Sequence, residues 1–376
     1  MSVEAITLGC RLNFAESEAL KARAADNSII VNSCAVTSEA VRQTRQAIRR
    51  ARRERPDARI IATGCAVQLE PERFRAMPEV DELLLKDFDH PAVAAGFRQR
   101  VRSFVAVQTG CDHRCTFCTI WQARGPSRSL SFEVIRDAVA QELDTGAAEI
   151  VLTGVDITSY EGGLGPLIEK LLAALPNLRR LRLSSLDSVE MDEALLALLP
   201  EPRLMPHFHL SLQAGDDLIL KRMKRRHSRA QAVALVERIK AERPHATIGA
   251  DLIAGFPTES EQAAQNSLKL LDDCDIVAAH VFPFSPRPNT PAARMPQLER
   301  EMVKARAARL REAATRRRSA WLDGLVGTTQ PVLIENNAKG HTDAFAPIVV
   351  AGSQRGDTGL ARIAGRTEDS LVGVFA

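Results

Sequence analysis

Three cysteines within eight residues are the strongest chemical feature of this chain. Cys111, Cys115 and Cys118 form a C-x3-C-x2-C triplet directly after a predicted strand. Three thiolates this close, with no fourth nearby, suit three corners of an iron–sulfur cube whose remaining iron is open to another ligand. A structural zinc ion normally takes four protein ligands in paired C-x2-C spacings. The triplet therefore predicts an iron–sulfur cluster, with zinc or chance as the alternatives.

A second set of cysteines is spread along the first 65 residues. Cys10, Cys34 and Cys65 each come immediately after a predicted strand. The carboxyl ends of parallel strands lie along one edge of a sheet, so we expect these three thiols to converge. Buried filler is the alternative, because free cysteine is often buried. Cys274 has no companions, and we expect it in the core or at a helix end.

The elements that must position the second set form a small α/β layer. Residues 1–100 alternate short β-rich runs with helical stretches, which predicts a doubly wound parallel sheet domain. The predicted strands are Ala5–Leu8, Ser28–Val31 and Ala58–Ala62, and the predicted helices are Glu16–Arg23 and Ser38–Glu54.

A longer α/β series covers residues 101–322. Its six strand candidates are Phe104–Val107, Glu149–Leu152, Leu181–Ser184, His207–Ser211, Thr247–Leu252 and Ile276–Val281. Helical patterns separate them, among them Phe132–Leu143, Leu164–Leu175 and Ser228–Ala241. Six units are fewer than the eight of a closed barrel, so we expect a partial (β/α)6 barrel with functional residues after its strands.

The last part of the chain, residues 323–376, follows a basic helix at about Glu299–Trp321. Its β-rich runs, separated by glycine-rich turns, predict a small all-β module. The runs are Pro331–Ile334, Phe345–Val350 and Gly359–Ile363.

Composition sets the broad class of the protein. The 376 residues are 45% hydrophobic and 26% charged, which excludes disorder for most of the chain and allows two or three domains. Fifty basic residues against 47 acidic ones give a net charge of +3, so no global charge points to a nucleic acid or membrane. No signal-like start and no apolar run of about 18 residues is evident, which predicts a cytoplasmic protein without a membrane partner.

Taken with their surroundings, these motifs resemble the radical S-adenosylmethionine (SAM) methylthiotransferase family over essentially the whole chain. The matching segments are Thr7–Asn13, Asn32–Thr37, Thr63–Ala66, the cysteine triplet and Arg124–Ser129. Val332–Glu335 and Gly340–Thr342 resemble a TRAM module, an OB-like RNA-binding fold. Three further segments are most similar to the branch that modifies threonylcarbamoyladenosine in tRNA: Leu152–Tyr160, His207–Gln213 and Leu220–His227. Trp121 and Ala214 depart from the family pattern.

The resemblance implies two [4Fe–4S] clusters and SAM as cofactors. One cluster, on Cys111, Cys115 and Cys118, would start radical chemistry, and a second, on Cys10, Cys34 and Cys65, would supply sulfur. The SAM contacts it implies are Phe117, Thr153, Gly154, Ser211, Gln213 and Asp251, with Gly255 either a further contact or a plain turn. Carbon 2 of adenine is neither acidic nor electrophilic, so we expect a radical reaction without a catalytic histidine or carboxylate dyad.

The implied partners are a tRNA anticodon stem-loop, a flavodoxin-like or ferredoxin-like electron donor and a sulfur source. Arginine-rich stretches at Arg42–Arg55, Lys221–Arg226 and Lys304–Arg318 suit phosphate contact, although solvated helix faces are the alternative. The expected product is the 2-methylthio derivative of N6-threonylcarbamoyladenosine at tRNA position 37. Alternative activities are methylthiolation of isopentenyladenosine or of a ribosomal-protein aspartate, and a non-catalytic metal-containing RNA-binding protein is the alternative of another class.

Overall fold

The N-terminal part of the chain is a parallel four-stranded sheet with helices. The structure, a computed structural model, describes residues 3–86 and 100–376. The elements are β1 Glu4–Thr7, α1 Arg11–Lys21, β2 Ser28–Ser33, α2 Ser38–Glu54, β3 Arg59–Gly64, α3 Cys65–Leu69, α4 Pro71–Arg75 and β4 Glu82–Leu84. The strands follow chain order, β1-β2-β3-β4, and all pair in parallel. The order therefore has no reversal of the kind that creates a switch point in a doubly wound sheet.

Burial explains why β2 and α2 form where the sequence predicts them. Every residue of β2 is buried, as expected for a central strand covered on both faces. Helix α2 begins after Thr37, whose side chain accepts a hydrogen bond from the main-chain N–H of Ala40. Its apolar stripe, including Val41 and Ile48, packs into the core of this sheet.

The central part is an open barrel of six parallel strands. Its elements up to the middle are β5 Arg102–Ala106, β6 Gln108–Thr109, α5 Ile120–Arg124, β7 Arg128–Ser129, α6 Phe132–Asp144, β8 Glu149–Thr153, α7 Leu164–Ala174, β9 Leu181–Leu183 and α8 Glu193–Ala197. The remainder are β10 His207–Gln213, α9 Asp217–Met223, α10 Arg229–Glu242, β11 Thr247–Ala254, α11 Glu261–Asp273 and β12 Ile276–Pro283. Two 3-10 helices cover Ile157–Ser159 and Pro291–Arg294.

The barrel strands form two three-stranded sheets joined into one wall. Their orders are β5-β8-β9 and β10-β11-β12, and a parallel bridge between Leu186 and Leu210 connects them. β6 and β7 pair with each other as a separate antiparallel ribbon beside the wall. Along β10, Phe208, Leu210 and Leu212 are fully buried in the core under the helices, so the alternate residues face the barrel interior.

The C-terminal part is a closed five-stranded barrel reached through a long helix. Helix α12 covers Arg300–Leu325, and the strands are β13 Thr329–Asn336, β14 Lys339–Thr342, β15 Pro347–Val350, β16 Thr358–Arg366 and β17 Leu371–Phe375. The ring order is β13-β14-β15-β17-β16. Nine buried apolar residues, among them Val332 and Ile363, fill its centre.

The predicted fold class is confirmed in its three parts: a parallel α/β sheet, a partial (β/α)6 barrel and a small β module. Strands β4, β6, β7, β14 and β17 were not predicted, and α1 begins at Arg11 rather than Glu16. Cys274 is fully buried at the end of α11, as expected. Within the described residues, no helix has the length and apolar character needed to cross a membrane.

Candidate iron–sulfur centres

The loop that carries the cysteine triplet lies between β6 and α5. The start of the loop is tied to the residue that follows α5, because the main-chain N–H of Cys111 donates to the carbonyl of Gly125 at 3.1 Å. In the middle, Thr116 donates its main-chain N–H to the carbonyl of Met223 at 3.0 Å and its hydroxyl to that of Arg222 at 2.8 Å. The loop is therefore held against the end of α9, which places the triplet at the carboxyl edge of the barrel.

Charged side chains surround the triplet. The guanidinium of Arg225 lies 3.7 Å from Sγ of Cys115 and donates to Asp187 and to the carbonyl of Ser211, both at 2.8 Å. On the other side, Nε2 of His113 lies 2.8 Å from Asp156 and 3.2 Å from Glu190. These two partners raise the pKa of His113 to about 10, while the guanidinium of Arg226 lies 3.0 Å from the same ring nitrogen.

The second cysteine set lies at the carboxyl edge of the N-terminal sheet. Cys10 precedes α1, Cys34 follows β2 and Cys65 opens α3. Two glycines make this edge possible. Gly9 has φ +123°, and a side chain there would lie 2.9 Å from Cβ of Cys34. Gly64 has φ +94°, and a side chain there would overlap the main chain of Ser33.

Burial favours the protonated form of three of these thiols, those of Cys34, Cys111 and Cys118. Burial raises the pKa of Cys34 to about 11. The hydrogen bond from the main-chain N–H of Val36 opposes this rise, and the thiols of Cys65 and Cys10 add to it. Burial likewise raises the pKa of Cys111 to about 12 and that of Cys118 to about 11. Metal binds the thiolate, so loading these sites releases protons.

The two cysteine sets lie beside the contact between the sheet and the barrel. Ala123 of α5 packs in the same core cluster as Cys65 and Val67 of α3. Cys65 also contributes to the raised pKa of Cys118, after burial and the nearer Cys115, so the thiols are electrostatic neighbours. Cys65 of the sheet set and Cys118 of the barrel set are therefore within electrostatic range of each other.

Arg124 ties the two parts together directly beneath the cysteines. It is 2% exposed, and it donates to Oε1 of Glu16 at 2.7 Å and to Oδ1 of Asn13 at 2.6 Å. Lys86 donates to the same carboxylate at 2.6 Å. Burial favours a neutral Glu16, but Arg124 and Lys86 outweigh it and lower the pKa of Glu16 to about 2.

The donor sets fit a cluster better than a single ion. A tetrahedral zinc with Zn–S bonds near 2.3 Å brings its sulfurs to about 3.8 Å from one another. Among the described residues, the close groups of potential ligands include no set of three thiols within 4.8 Å of one another. Three thiols with wider spacing and small neighbours suit a [4Fe–4S] cluster.

The predicted SAM contacts lie around the carboxyl edge of the barrel, except that Asp251 lies deeper inside the barrel. Phe117 packs on the apolar cluster that includes Phe256, Thr153 ends β8 with Gly154 next to it, and Gln213 ends β10 in a left-handed conformation with φ 67°. The carbonyl of Ser211 accepts the hydrogen bond from Arg225.

Asp251 lies lower in the barrel than the sequence suggested. It is in the middle of β11, and its Oδ1 is 3.0 Å from Nε2 of His209 and 3.1 Å from Nδ1 of His280. This group of two imidazoles and a carboxylate was not predicted, because its members come from three different strands. Gly255, with φ 74°, follows β11, and a side chain there would press on Val303 of α12.

Some arginines of the arginine-rich stretches turn inward or pair with other protein groups, so they are not exposed phosphate contacts. Arg225 is turned inward and Arg222 donates to the hydroxyl of Thr258 at 2.7 Å, so part of Lys221–Arg226 is structural. Several arginines of α2 are paired with acidic side chains, as in the contact of Arg52 with Asp81. Arg287 was not singled out in the sequence, and it is 4% exposed with one nitrogen 3.1 Å from the hydroxyl of Ser38.

Two family models match this chain. The radical SAM superfamily model matches residues 105–271, and the model of the uncharacterised protein family UPF0004 matches residues 2–85. Among solved structures, the radical SAM methyltransferase TsrM from Kitasatospora setae is similar with a TM-score of 0.55 and 15% identity. The match covers 78% of this chain and 77% of that one. At this identity the likeness concerns the fold alone.

Curated relatives match along nearly the whole chain. A threonylcarbamoyladenosine tRNA methylthiotransferase MtaB from Rickettsia prowazekii is 41% identical over 92% of this chain and 90% of its own length. The protein of the same name from Thermotoga maritima is 31% identical over 97% and 95%. A tRNA-2-methylthio-N(6)-dimethylallyladenosine synthase from Ehrlichia chaffeensis is 31% identical over 84% and 81%. The chain belongs to the radical SAM tRNA methylthiotransferase family, whose enzymes use SAM and a [4Fe–4S] cluster.

Proposed function

We propose that this enzyme methylthiolates carbon 2 of N6-threonylcarbamoyladenosine at position 37 of tRNA. The observation that supports it best is the presence of two three-cysteine sets, one on the barrel edge and one on the sheet edge, with Cys65 and Cys118 within electrostatic range of each other. The MtaB names of similar full-length proteins support the choice of nucleoside.

At the barrel edge, Cys111, Cys115 and Cys118 would hold the [4Fe–4S] cluster. When bound and reduced by the electron donor, this cluster would supply the electron for the cleavage of SAM. Arg225 places a positive charge 3.7 Å from the sulfur of Cys115. Phe117, Thr153, Gly154, Ser211, Gln213 and Asp251 are the side chains and main chain that would bind and orient SAM.

At the sheet edge, Cys10, Cys34 and Cys65 would hold a second [4Fe–4S] cluster. When bound, this cluster would supply the site for the sulfur that is inserted. Gly9 and Gly64 keep this edge free of side chains, so a bulky inorganic group can approach the main chain. Arg124 and Glu16 hold the two cysteine edges in a fixed relation.

The tRNA anticodon stem-loop would contact all three parts of the chain. We propose the boundaries 1–100, 101–322 and 323–376, of which residues 1, 2 and 87–99 lie outside the described part. Exposed arginines of α2 and α12, for example Arg53 and Arg316, suit phosphate contacts, and the closed β barrel suits RNA. An electron donor of flavodoxin or ferredoxin type and a sulfur source complete the scheme.

The direct test is an assay on synthetic anticodon stem-loops. Anaerobically reconstituted protein is incubated with SAM, dithionite and sulfide, and the nucleosides are analysed by mass spectrometry. We expect the 2-methylthio product from a stem-loop with N6-threonylcarbamoyladenosine, and little from one with isopentenyladenosine. Preference for the isopentenyl substrate, or for a ribosomal-protein peptide, would contradict the proposed substrate.

Two cysteine variants separate the two centres. Cys65→Ala is expected to cleave SAM to 5′-deoxyadenosine without forming the methylthio product. Cys115→Ala is expected to lose both reactions while it keeps RNA binding. If Cys65→Ala formed product at the wild-type rate, the second centre would have no part in sulfur insertion.

A further inference from the structure

The interior of the central barrel carries a dense group of charges at its base. Arg102 and Phe104 alternate along β5 with the outward-packed Val105, so both face the interior. Glu149 opens β8 there and is fully buried. Phe345, from the loop between β14 and β15, stacks on His207 of β10 at 5.1 Å and closes the base.

Three of the arginines at this base have acidic partners. Arg102, Arg180 and Arg182 all bind the carboxylate of Glu149, with Arg182 at 2.9 Å and Arg180 at 3.1 Å. The second nitrogen of Arg102 lies 2.9 Å from Glu335, and Arg180 also pairs with Asp343. These three guanidiniums are therefore compensated within the protein.

A fourth guanidinium, that of Arg11, is within electrostatic range of Glu149 and Glu335 but forms no ion pair with an acidic side chain in the described part of the chain. It lies over the ring of Phe104, 5.3 Å from the centroid, and the side chain is partly buried. Within residues 3–86 and 100–376 it makes neither a hydrogen bond nor an ion pair. It is close enough to the interior to contribute, after burial, Arg182 and His209, to the lowered pKa of His207. Four guanidiniums thus face three carboxylates, Glu149, Glu335 and Asp343.

An unpaired cation in a partly dehydrated space favours an anionic ligand. A planar guanidinium with free donors suits a carboxylate, which it can bind through two parallel hydrogen bonds. The partly buried, inward position over Phe104 suits a group that enters the barrel better than a phosphate of the RNA backbone on the outer surface.

The position of Arg11 along the chain fits one particular carboxylate. Arg11 directly follows Cys10, so their Cα atoms are about 3.8 Å apart. In the substrate of the proposed reaction, carbon 2 and the N6 substituent sit on the same six-membered ring, on either side of N1. If the enzyme holds carbon 2 beside the cluster that Cys10 would bind, it must hold the N6 substituent nearby, within the reach of a long side chain.

We propose that Arg11 binds the carboxylate of the threonylcarbamoyl group and thereby selects N6-threonylcarbamoyladenosine over adenosines with an uncharged N6 substituent. This inference rests on the proposed function. It assigns Arg11 a role in substrate specificity and no part in the radical step.

The test compares two stem-loops that differ only in this charge. One carries N6-threonylcarbamoyladenosine, and the other carries the same nucleoside with its carboxylate converted to a primary amide. For the wild-type enzyme we expect kcat/KM for the acid to exceed that for the amide by about 10- to 100-fold, the range for a hydrogen bond to a charged group. Arg11→Gln should lose most of this preference, and Arg11→Lys should keep part of it.

Rates are normalised to the iron content of each preparation, because Arg11 neighbours Cys10. Arg53→Gln, which removes an exposed arginine of α2, serves as the control and should change both rates by the same factor. If Arg11→Gln at full iron content lowered the two rates equally, Arg11 would not bind the carboxylate. If the wild-type enzyme modified neither stem-loop but cleaved SAM, the proposed substrate itself would be wrong, and this inference with it.

Discussion

At the scale of single residues, the candidate site depends on buried charged side chains that connect the cysteines to the strands and loops around them. Arg225 is the clearest case, since it bridges Asp187, the carbonyl of Ser211 and the sulfur of Cys115. Its side chain is 8% exposed and that of Asp187 is 7% exposed. A charge buried to this degree is tolerated only with its partner in place.

Replacement of Arg225 by Gln is expected to destabilise the protein strongly. The carboxylate of Asp187 would remain buried without its cation, which costs about 3–5 kcal/mol of unfolding free energy. Urea unfolding of the metal-free protein measures this. Arg226→Gln is the control, because its side chain is 50% exposed and its pair with Glu190 should contribute about 1 kcal/mol or less. Equal losses in the two variants would contradict this account.

Glu16 gives a prediction of pH dependence. Its pKa falls from 4.5 to about 2 on folding, so its charged form stabilises the fold at every pH above 4.5. That stabilisation, about 3 kcal/mol at most, is lost as the pH falls from 4.5 towards 2. The difference in unfolding free energy between wild type and Glu16→Gln should therefore shrink between pH 5 and pH 3.

The matched control for Glu16 is Glu312→Gln. Glu312 forms an exposed pair with Arg316 on α12, with both side chains more than half exposed. Its effect should stay below about 0.5 kcal/mol at both pH values. A Glu16 effect that did not depend on pH would show that its charge does not stabilise the contact between sheet and barrel.

At the scale of elements, the turns that follow strands decide where the cysteines lie. The turn from β3 into α3 needs Gly64, because its positive φ and the close main chain of Ser33 leave no room for a side chain. The sequence predicted this strand and the position of Cys65 after it. It did not predict that α5 packs on α3, because that contact joins segments about 55 residues apart in the chain.

Gly64→Ala is expected to displace Cys65 and to lower the iron content from about eight to about four atoms per chain. Gly146→Ala is the control, since Gly146 also has a positive φ, +97°, but open space around it. It should cost only about 1 kcal/mol and keep all the iron. Iron analysis after anaerobic reconstitution distinguishes the two, and full iron in Gly64→Ala would contradict the role of this turn.

Local sequence fixed some elements closely and others poorly. Helix α2 has the predicted bounds, Ser38–Glu54, because it has a capping threonine and a regular apolar stripe. Helix α1 begins five residues before the predicted start. The sequence did not reveal this start because Cys10, which precedes the helix, forms no side-chain cap. The inward turn of Arg225 follows from Lys224, whose left-handed φ of 63° redirects the chain after α9. A run of basic residues does not reveal such a turn.

At the scale of the whole molecule, the C-terminal barrel is attached to the central one through a charged seam. Glu149 of the central barrel binds Arg102, Arg180 and Arg182, and these contact Glu335 and Asp343 of the module. Phe345 lies under the guanidiniums of Arg102 and Arg182, 5.0 and 4.8 Å from its centroid. The sequence predicted both modules, but the seam depends on pairs more than 150 residues apart.

Glu149→Gln is expected to weaken both the barrel and its contact with the module. Burial favours a neutral Glu149, but Arg182 and Arg102 outweigh this and lower its pKa, so the native group is charged. Without the charge of Glu149, the three arginines lose their shared carboxylate partner. This loss should lower the unfolding free energy by about 3–5 kcal/mol. Glu169→Gln, at an exposed position of α7, should change stability by less than about 0.5 kcal/mol. Thermal unfolding of both variants measures the difference.

The central claim is that the fold gathers six thiols into two separate iron–sulfur centres. Iron and acid-labile sulfide in the anaerobically reconstituted protein test it most directly, together with two triple variants. We expect about eight of each per chain in the wild type. About four should remain when Cys10, Cys34 and Cys65 are replaced by Ala, and also when Cys111, Cys115 and Cys118 are replaced. A wild-type protein that holds only about four irons, unchanged in the first triple variant, would contradict the account.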